Sequence, residues 1–250
     1  MRPYEDKFVI QTINTYNELL KEERCGAYRI VKTKEEALSG YLYEEKKNKN
    51  LEIAKLFNGN TLIMELTPKE IQGYFEIIKN AKGRVGVVGL GLGYLVQELA
   101  KKKEVTEVVV YEISKEVIEL YKNNFKDKSK IKIFMQDAYK AKRETFDFFF
   151  VDIYNEKLTE KCAEDYKIFT EMHEIEEYSF WGIEHFLLSC SYEEIVWVFI
   201  PELWMDMSKD ISRILSDSGE LASYKPLNPE LVSKVLASFK EILNEGEEEY

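Results

Sequence analysis

Long apolar runs are missing from this chain of 250 residues, and no stretch approaches the ~20 consecutive apolar residues of a membrane-spanning helix. The opening Met1-Arg2-Pro3-Tyr4-Glu5-Asp6 has neither the basic nor the apolar region of a secretory leader, so a cytoplasmic protein is expected. Histidine is scarce, with only His173 and His185, and the three cysteines, Cys25, Cys162 and Cys190, stand far apart. That set lacks the spacing of a zinc site or a disulfide framework, so reduced thiols and no metal are expected. Positive charge is in deficit, with 35 Lys and Arg against 46 Asp and Glu and a formal charge of −11. A surface of that sign repels polyanions and disfavours nucleic acid as a partner. Linkers rich in Pro, Gly or Ser are absent, as are internal repeats, and the one low-complexity stretch is the acidic tail Glu245–Tyr250, expected to be disordered.

What is present is enough for one large core with a small appendage, at 45% hydrophobic and 13% aromatic residues. The chain is organised around Gly89-Leu90-Gly91-Leu92-Gly93-Tyr94. The apolar run Arg84–Val88 precedes it, and Leu95, Val96, Leu99 and Ala100 follow at the spacing of a helix face. Strand, glycine turn and helix in that order bring backbone close to a ligand at a helix N-terminus, the arrangement of a cofactor site.

Upstream, Val9, Ile13, Tyr16 and Leu20 form one helical stripe, to be covered by the core or by a second subunit. Ala27–Val31 reads as a strand, Thr33 with Glu36 as a capping box for a short helix through Leu42, and Glu44–Asn50 as a solvated loop. Asn58-Gly59-Asn60 between two apolar runs predicts a hairpin, and Thr67-Pro68-Lys69-Glu70 predicts a capped helix start. Residues 1–80 are therefore expected to form an α+β extension packed on a main domain at 81–250.

From Gly83 the pattern is regular. Strands at Thr106–Tyr111, Ile131–Met135 and Phe146–Val151 alternate with a helix capped by Ser114 and an apolar stripe at Leu158, Cys162, Tyr166 and Phe169. Alternation predicts right-handed βαβ units, hence an α/β, Rossmann-like doubly wound fold with a mostly parallel sheet. Ligands in such sheets sit beyond the carboxyl ends of the strands, and here those ends carry the glycine turn, Glu112, Asp137 and Asp152.

These motifs, Val87–Gly93, Val110–Ile113, Gln136–Ala138 and Phe146–Tyr154, resemble class I S-adenosylmethionine-dependent methyltransferases, and within them the spermidine-synthase-like branch. The resemblance covers residues 83–155. It implies S-adenosylmethionine as cofactor, lying over Gly89, Leu90, Gly91, Gly93 and Tyr94, with both ribose hydroxyls on Glu112. Ile113 would pack on adenine, Asp137 and Ala138 would meet its amino edge, and Asp152 would stand near the methionine amine and the transferring group. Asp152 and Tyr154 are then the candidates for positioning or deprotonating an acceptor, a small molecule or an accessible side chain. A nicotinamide site needs G-x-G-x-x-G/A, and Tyr94 occupies the last position.

Three departures shape the rival readings. Val87 stands where many methyltransferases carry an acid. Asp152-Ile153-Tyr154 is not the Pro-Pro signature of enzymes acting on nucleic-acid bases. Leu92 stands where aminopropyltransferases usually carry aspartate, against aminopropyl transfer from the decarboxylated cofactor. A non-catalytic nucleoside-binding protein is a further alternative. After Asp152, Tyr178–Leu188 is read as a helical segment whose Trp181 and Glu184 share a face and line the acceptor pocket. Ile195–Ile200 reads as a buried fifth strand, Leu203–Ile214 as a helix, and Asn228-Pro229 as the start of the last helix.

Overall fold

A computed structural model describes residues 5–38, 46–155, 157–218 and 224–244. Helix α1 (Asp6–Leu19) buries the predicted stripe of Val9, Ile13 and Tyr16. Four antiparallel strands follow in sheet order β1-β2-β3-β4: β1 (Glu23–Cys25), β2 (Tyr28–Leu38), β3 (Lys46–Asn58) and β4 (Thr61–Glu65). The β3–β4 hairpin turns at Gly59, whose φ of +56° suits the Asn-Gly signal.

Two local expectations give way to this sheet. Thr33 and Glu36 cap no helix, because β2 runs on to Leu38 in register with β3, Ala37 opposite Lys47. Lys46–Asn50, expected as loop, is the first part of β3, while Glu44 and Glu45 lie outside the described residues. The long ladder of backbone hydrogen bonds between β2 and β3 outweighs the few tenths of a kcal/mol in local helix propensity.

Pro68 starts α2 (Pro68–Gly73) as predicted, and a break at Tyr74 separates it from α3 (Phe75–Asn80). Then come β5 (Gly83–Val88), α4 (Tyr94–Lys101), β6 (Val105–Glu112), α5 (Lys115–Asn124), β7 (Ile131–Met135), β8 (Thr145–Val151), α6 (Lys161–Met172) and β9 (Glu174–Phe180). These strands form a parallel sheet in the order β7-β6-β5-β8-β9, a Rossmann-like α/β fold. Val85, Val87, Val108, Val109 and Phe148 to Val151 are buried, as a parallel sheet covered on both faces requires. The order reverses between β5 and β8, which fixes the topological switch point there.

The C-terminal third is helical: α7 (Ile183–Ser189), α8 (Tyr192–Val198), α9 (Glu202–Ser218) and α10 (Pro229–Leu243). Ile195–Ile200 is therefore not a strand. Ser191 and Glu194 close a capping box that starts α8, and Ile195 and Val198 face inward while Val196 and Trp197 face out. The fifth strand is instead β9, drawn partly from residues expected to be helical. Asn228 caps α10, its Oδ1 accepting from Glu230 N at 2.8 Å. Tyr16 of α1 donates to Glu98 Oε1 of α4 at 2.5 Å and stands edge-on to Tyr94, fastening the N-terminal elements to the parallel sheet's cover. No described helix is long and apolar enough to cross a membrane.

Candidate active site

At the switch point the glycine turn leaving β5 meets the chain leaving β8, with Asp152 N donating to Val88 O at 2.8 Å. Gly89, Gly91 and Gly93 have φ of +98°, +51° and +79°, so the turn needs residues without a Cβ. A cavity of about 290 Å³ opens above it, near the lower end of small-molecule sites. Its floor is Gly89, Leu90, Gly91 and Glu112, and Asp152 and Ile153 stand on one side.

Glu112 ends β6 with its carboxylate turned back on the glycine turn. Oε2 accepts from Leu90 N at 3.0 Å and Oε1 from Ser114 N at 2.8 Å. Burial raises its pKa above the usual glutamate range, while those backbone donors pull the other way. A carboxylate offers about four lone-pair sites, so Glu112 keeps acceptor capacity for a ligand hydroxyl. Ile113, next in the chain, is largely exposed at the cavity mouth.

Across the cavity, Tyr74 OH donates to Asp152 Oδ2 at 2.5 Å, and Trp181 Nε1 donates to Glu70 at 3.1 and 3.2 Å. Burial first, then the charge of Asp152, pushes the Tyr74 phenol well above its ordinary pKa, so it stays protonated and serves as a donor. Met64 of β4 lies directly over Gly91, and its Sδ accepts from Leu92 N at 3.2 Å. Tyr28, Leu56 and Ile63 come from the same antiparallel sheet, which thus walls the cavity.

Of the residues singled out in the sequence, the fold brings Gly89, Leu90, Gly91, Glu112, Ile113, Asp152 and Trp181 to this cavity. Others lie elsewhere. Gly93 packs against Tyr121 and Phe125, and Tyr94 is buried beside Tyr16 and Tyr74. Asp137 spends its side chain on its own turn, accepting from Tyr139 N at 3.1 Å, with Ala138 buried next to it. Tyr154 is buried with its hydroxyl near Tyr178 and Asp165, away from the cavity wall. Trp181 and Glu184 do not share a helix face, because α7 begins only at Ile183 and Trp181 continues β9, its N–H bonded to Val151 O. Glu184 is fully buried and accepts from Glu76 N at 2.6 Å, capping α3 rather than lining the cavity.

Glu70, Tyr74 and Met64 were not singled out in the sequence. Glu70 reads there as an ordinary capping residue, and the face of a hairpin strand that meets a distant glycine turn has no local signature. The recognition of β9 would have added Trp181 to the series of strand-end residues.

The family described as methyltransferase small domain matches residues 72–174. Among solved structures, the chain is similar to a spermidine synthase from Thermotoga maritima, at 15% identity and TM-score 0.39, covering 62% of this chain and 52% of that one. It is also similar to a 23S rRNA methyltransferase, at 21% identity and TM-score 0.35, covering 42% of each chain. An N-methyltransferase from Bradyrhizobium japonicum solved with S-adenosyl-L-homocysteine gives 16% identity and TM-score 0.32, over 40% of this chain and 52% of that one. The chain spans about half the length of these proteins. The comparison with curated proteins finds no match. Residues 72–174, which supply the glycine turn, Glu112 and Asp152, are thus the part of the chain that matches the methyltransferase small domain family.

Proposed function

We propose that this chain transfers a methyl group from S-adenosylmethionine to a small amine held beside Asp152. The observation that carries the reading is the chemistry of the cavity wall, where Glu70, Glu112 and Asp152 stand among Tyr28, Tyr74 and Trp181, with no lysine, arginine or histidine among the described lining residues. Acids flanked by aromatic faces attract a cationic ligand. When bound, the cofactor supplies a methyl group already activated on a sulfonium. Glu112 accepts the ribose hydroxyls on its remaining lone pairs, and Ile113 and Ile153 give the base an apolar seat. Asp152, held by Tyr74, pairs with the acceptor ammonium and receives the proton that the nitrogen must lose before it attacks the methyl group. Glu70, fixed by Trp181, holds a second positive group of the acceptor. The acidic wall and the net charge of −11 both disfavour a nucleic-acid substrate. Domain roles follow, with residues 81–250 binding the cofactor and the extension at 1–80 completing the acceptor side through Tyr28 and Glu70.

The same wall favours a second reading, aminopropyl transfer from decarboxylated S-adenosylmethionine. A cofactor without a carboxylate needs no basic partner, and the described lining residues offer none, although Leu92 replaces the aspartate usual in that reaction. Calorimetric titration with S-adenosylmethionine, its decarboxylated analogue, S-adenosylhomocysteine and NAD separates the readings. Methyl transfer expects the first and third ligands to bind best and a panel of amines to be methylated. Tighter binding of the decarboxylated analogue moves the assignment to aminopropyl transfer, and preference for NAD overturns both.

A further inference from the structure

The outer face of α8 is rich in exposed apolar side chains. Tyr192, Trp197 and Phe199 are 65%, 73% and 64% exposed, and Val196 lies between them at 42%. Phe199, two residues on from Trp197, has a φ of +53°, a left-handed conformation that bulky residues rarely adopt, and its ring is left in solvent. Four large apolar side chains exposed within eight residues have the composition that anchors protein interfaces, rich in tryptophan and tyrosine.

Charge decides what fits there. From Phe186 to Ser208 the chain holds Glu193, Glu194, Glu202 and Asp206 and no lysine, arginine or histidine. All four acids are exposed. A second copy docking by this face would set one acidic rim against another, since a twofold contact pairs a patch with itself. The chain's own end, Glu245–Tyr250, is acidic as well and meets the same repulsion. We propose that the outer face of α8, with Phe199, is a docking surface for a cationic amphipathic helix of a partner protein, its apolar side chains on Trp197 and its lysines or arginines against the acidic rim.

Trp197 reports on this face, because Trp181 and Trp204 are only 6% and 0% exposed. The whole chain is titrated with a synthetic helical peptide of leucines and lysines, with the matching leucine–glutamate peptide, and with neutral and anionic phospholipid vesicles, following tryptophan emission and acrylamide quenching. The expected result is a saturable blue shift with the lysine peptide alone. Affinity should fall by about tenfold or more in Trp197→Ala, read by calorimetry, and in Glu193→Lys/Glu202→Lys. Equal binding of the glutamate peptide, or a shift produced by vesicles and not by the lysine peptide, overturns the proposal. So does a dimer in light scattering that Trp197→Glu dissolves, which would assign the face to a second copy.

Discussion

Glu112 shows what one carboxylate can do when both of its oxygens are already fixed. Its Oε2 and Oε1 hold the N–H groups of Leu90 and Ser114, so it reaches a ligand with no loss of side-chain freedom. On the proposed reading, Glu112→Ala weakens S-adenosylmethionine binding by about 1.5–3 kcal/mol, the worth of hydrogen bonds to a charged acceptor. Ribose hydroxyls donate to the ionised form, so affinity is full above the pKa of Glu112 and falls as pH drops through it. Burial raises that pKa, and calorimetry at stepped pH should find the fall starting above the ordinary glutamate range. Gly91 makes a second test. A Cβ there would meet Met64 Sδ at 2.5 Å on a backbone with φ of +51°. Gly91→Ala should cost about 1–3 kcal/mol in denaturant unfolding, and Met64→Ala should recover only part of it, because the contact is relieved while the backbone strain stays. Glu112 and Asp152 were legible in the sequence because each ends a strand with a clear apolar pattern. Glu70, Tyr74 and Met64 were not, since only tertiary packing carries them to the glycine turn.

At the scale of elements, the clearest conflict between composition and outcome is Ile195–Ile200. Its β-branched and aromatic run reads as strand, yet four residues upstream Ser191 takes Glu194 N at 3.2 Å and Glu194 Oε2 takes Ser191 N at 2.7 Å. That reciprocal cap was visible in the sequence, whereas the burial of alternate helical positions on α10 was not. Ser191→Ala should destabilise the fold by about 0.5–2 kcal/mol in thermal or denaturant unfolding. The junction of α7 with α3 carries a pH signature. Burial, and then the charge of Glu76, pushes the Glu184 carboxyl well above its ordinary pKa. Its contribution to stability is thus full below the unfolded-state pKa of about 4.3 and is lost as pH rises through the raised folded-state value. Glu184→Gln keeps the acceptor for Glu76 N and removes the buried charge, so its melting temperature should exceed the wild type's at alkaline pH and match it in acid.

For the molecule as a whole, the parallel sheet was readable from Gly83 to Asp152 because each strand there is an apolar run followed by a helix start. The antiparallel sheet was readable at its hairpin and at the start of β2, where Ala27–Val31 reads as a strand, and not beyond, since the rest of β2 and the start of β3 carry charged residues that a long ladder tolerates and a local pattern does not reveal. Both sheets drain into one continuous core, with Ile53 and Leu56 of the first sharing it with Val85 and Val108 of the second. Heating or denaturant should therefore unfold the chain in a single transition, coincident by tryptophan emission and far-ultraviolet circular dichroism, and two separated transitions would show the extension to be an independent unit. The cavity wall has a kinetic consequence. Among the described lining residues its titratable groups are carboxylates and phenols, with no imidazole, thiol or ammonium. On the proposed reading the amine attacks only after it has lost its proton, so a rise in turnover between about pH 7 and pH 10 belongs to the acceptor and not to the enzyme. The alkaline limb of the rate profile would then read out the basicity of the nucleophile, and comparing that value across a panel of amines would identify which nitrogen is alkylated.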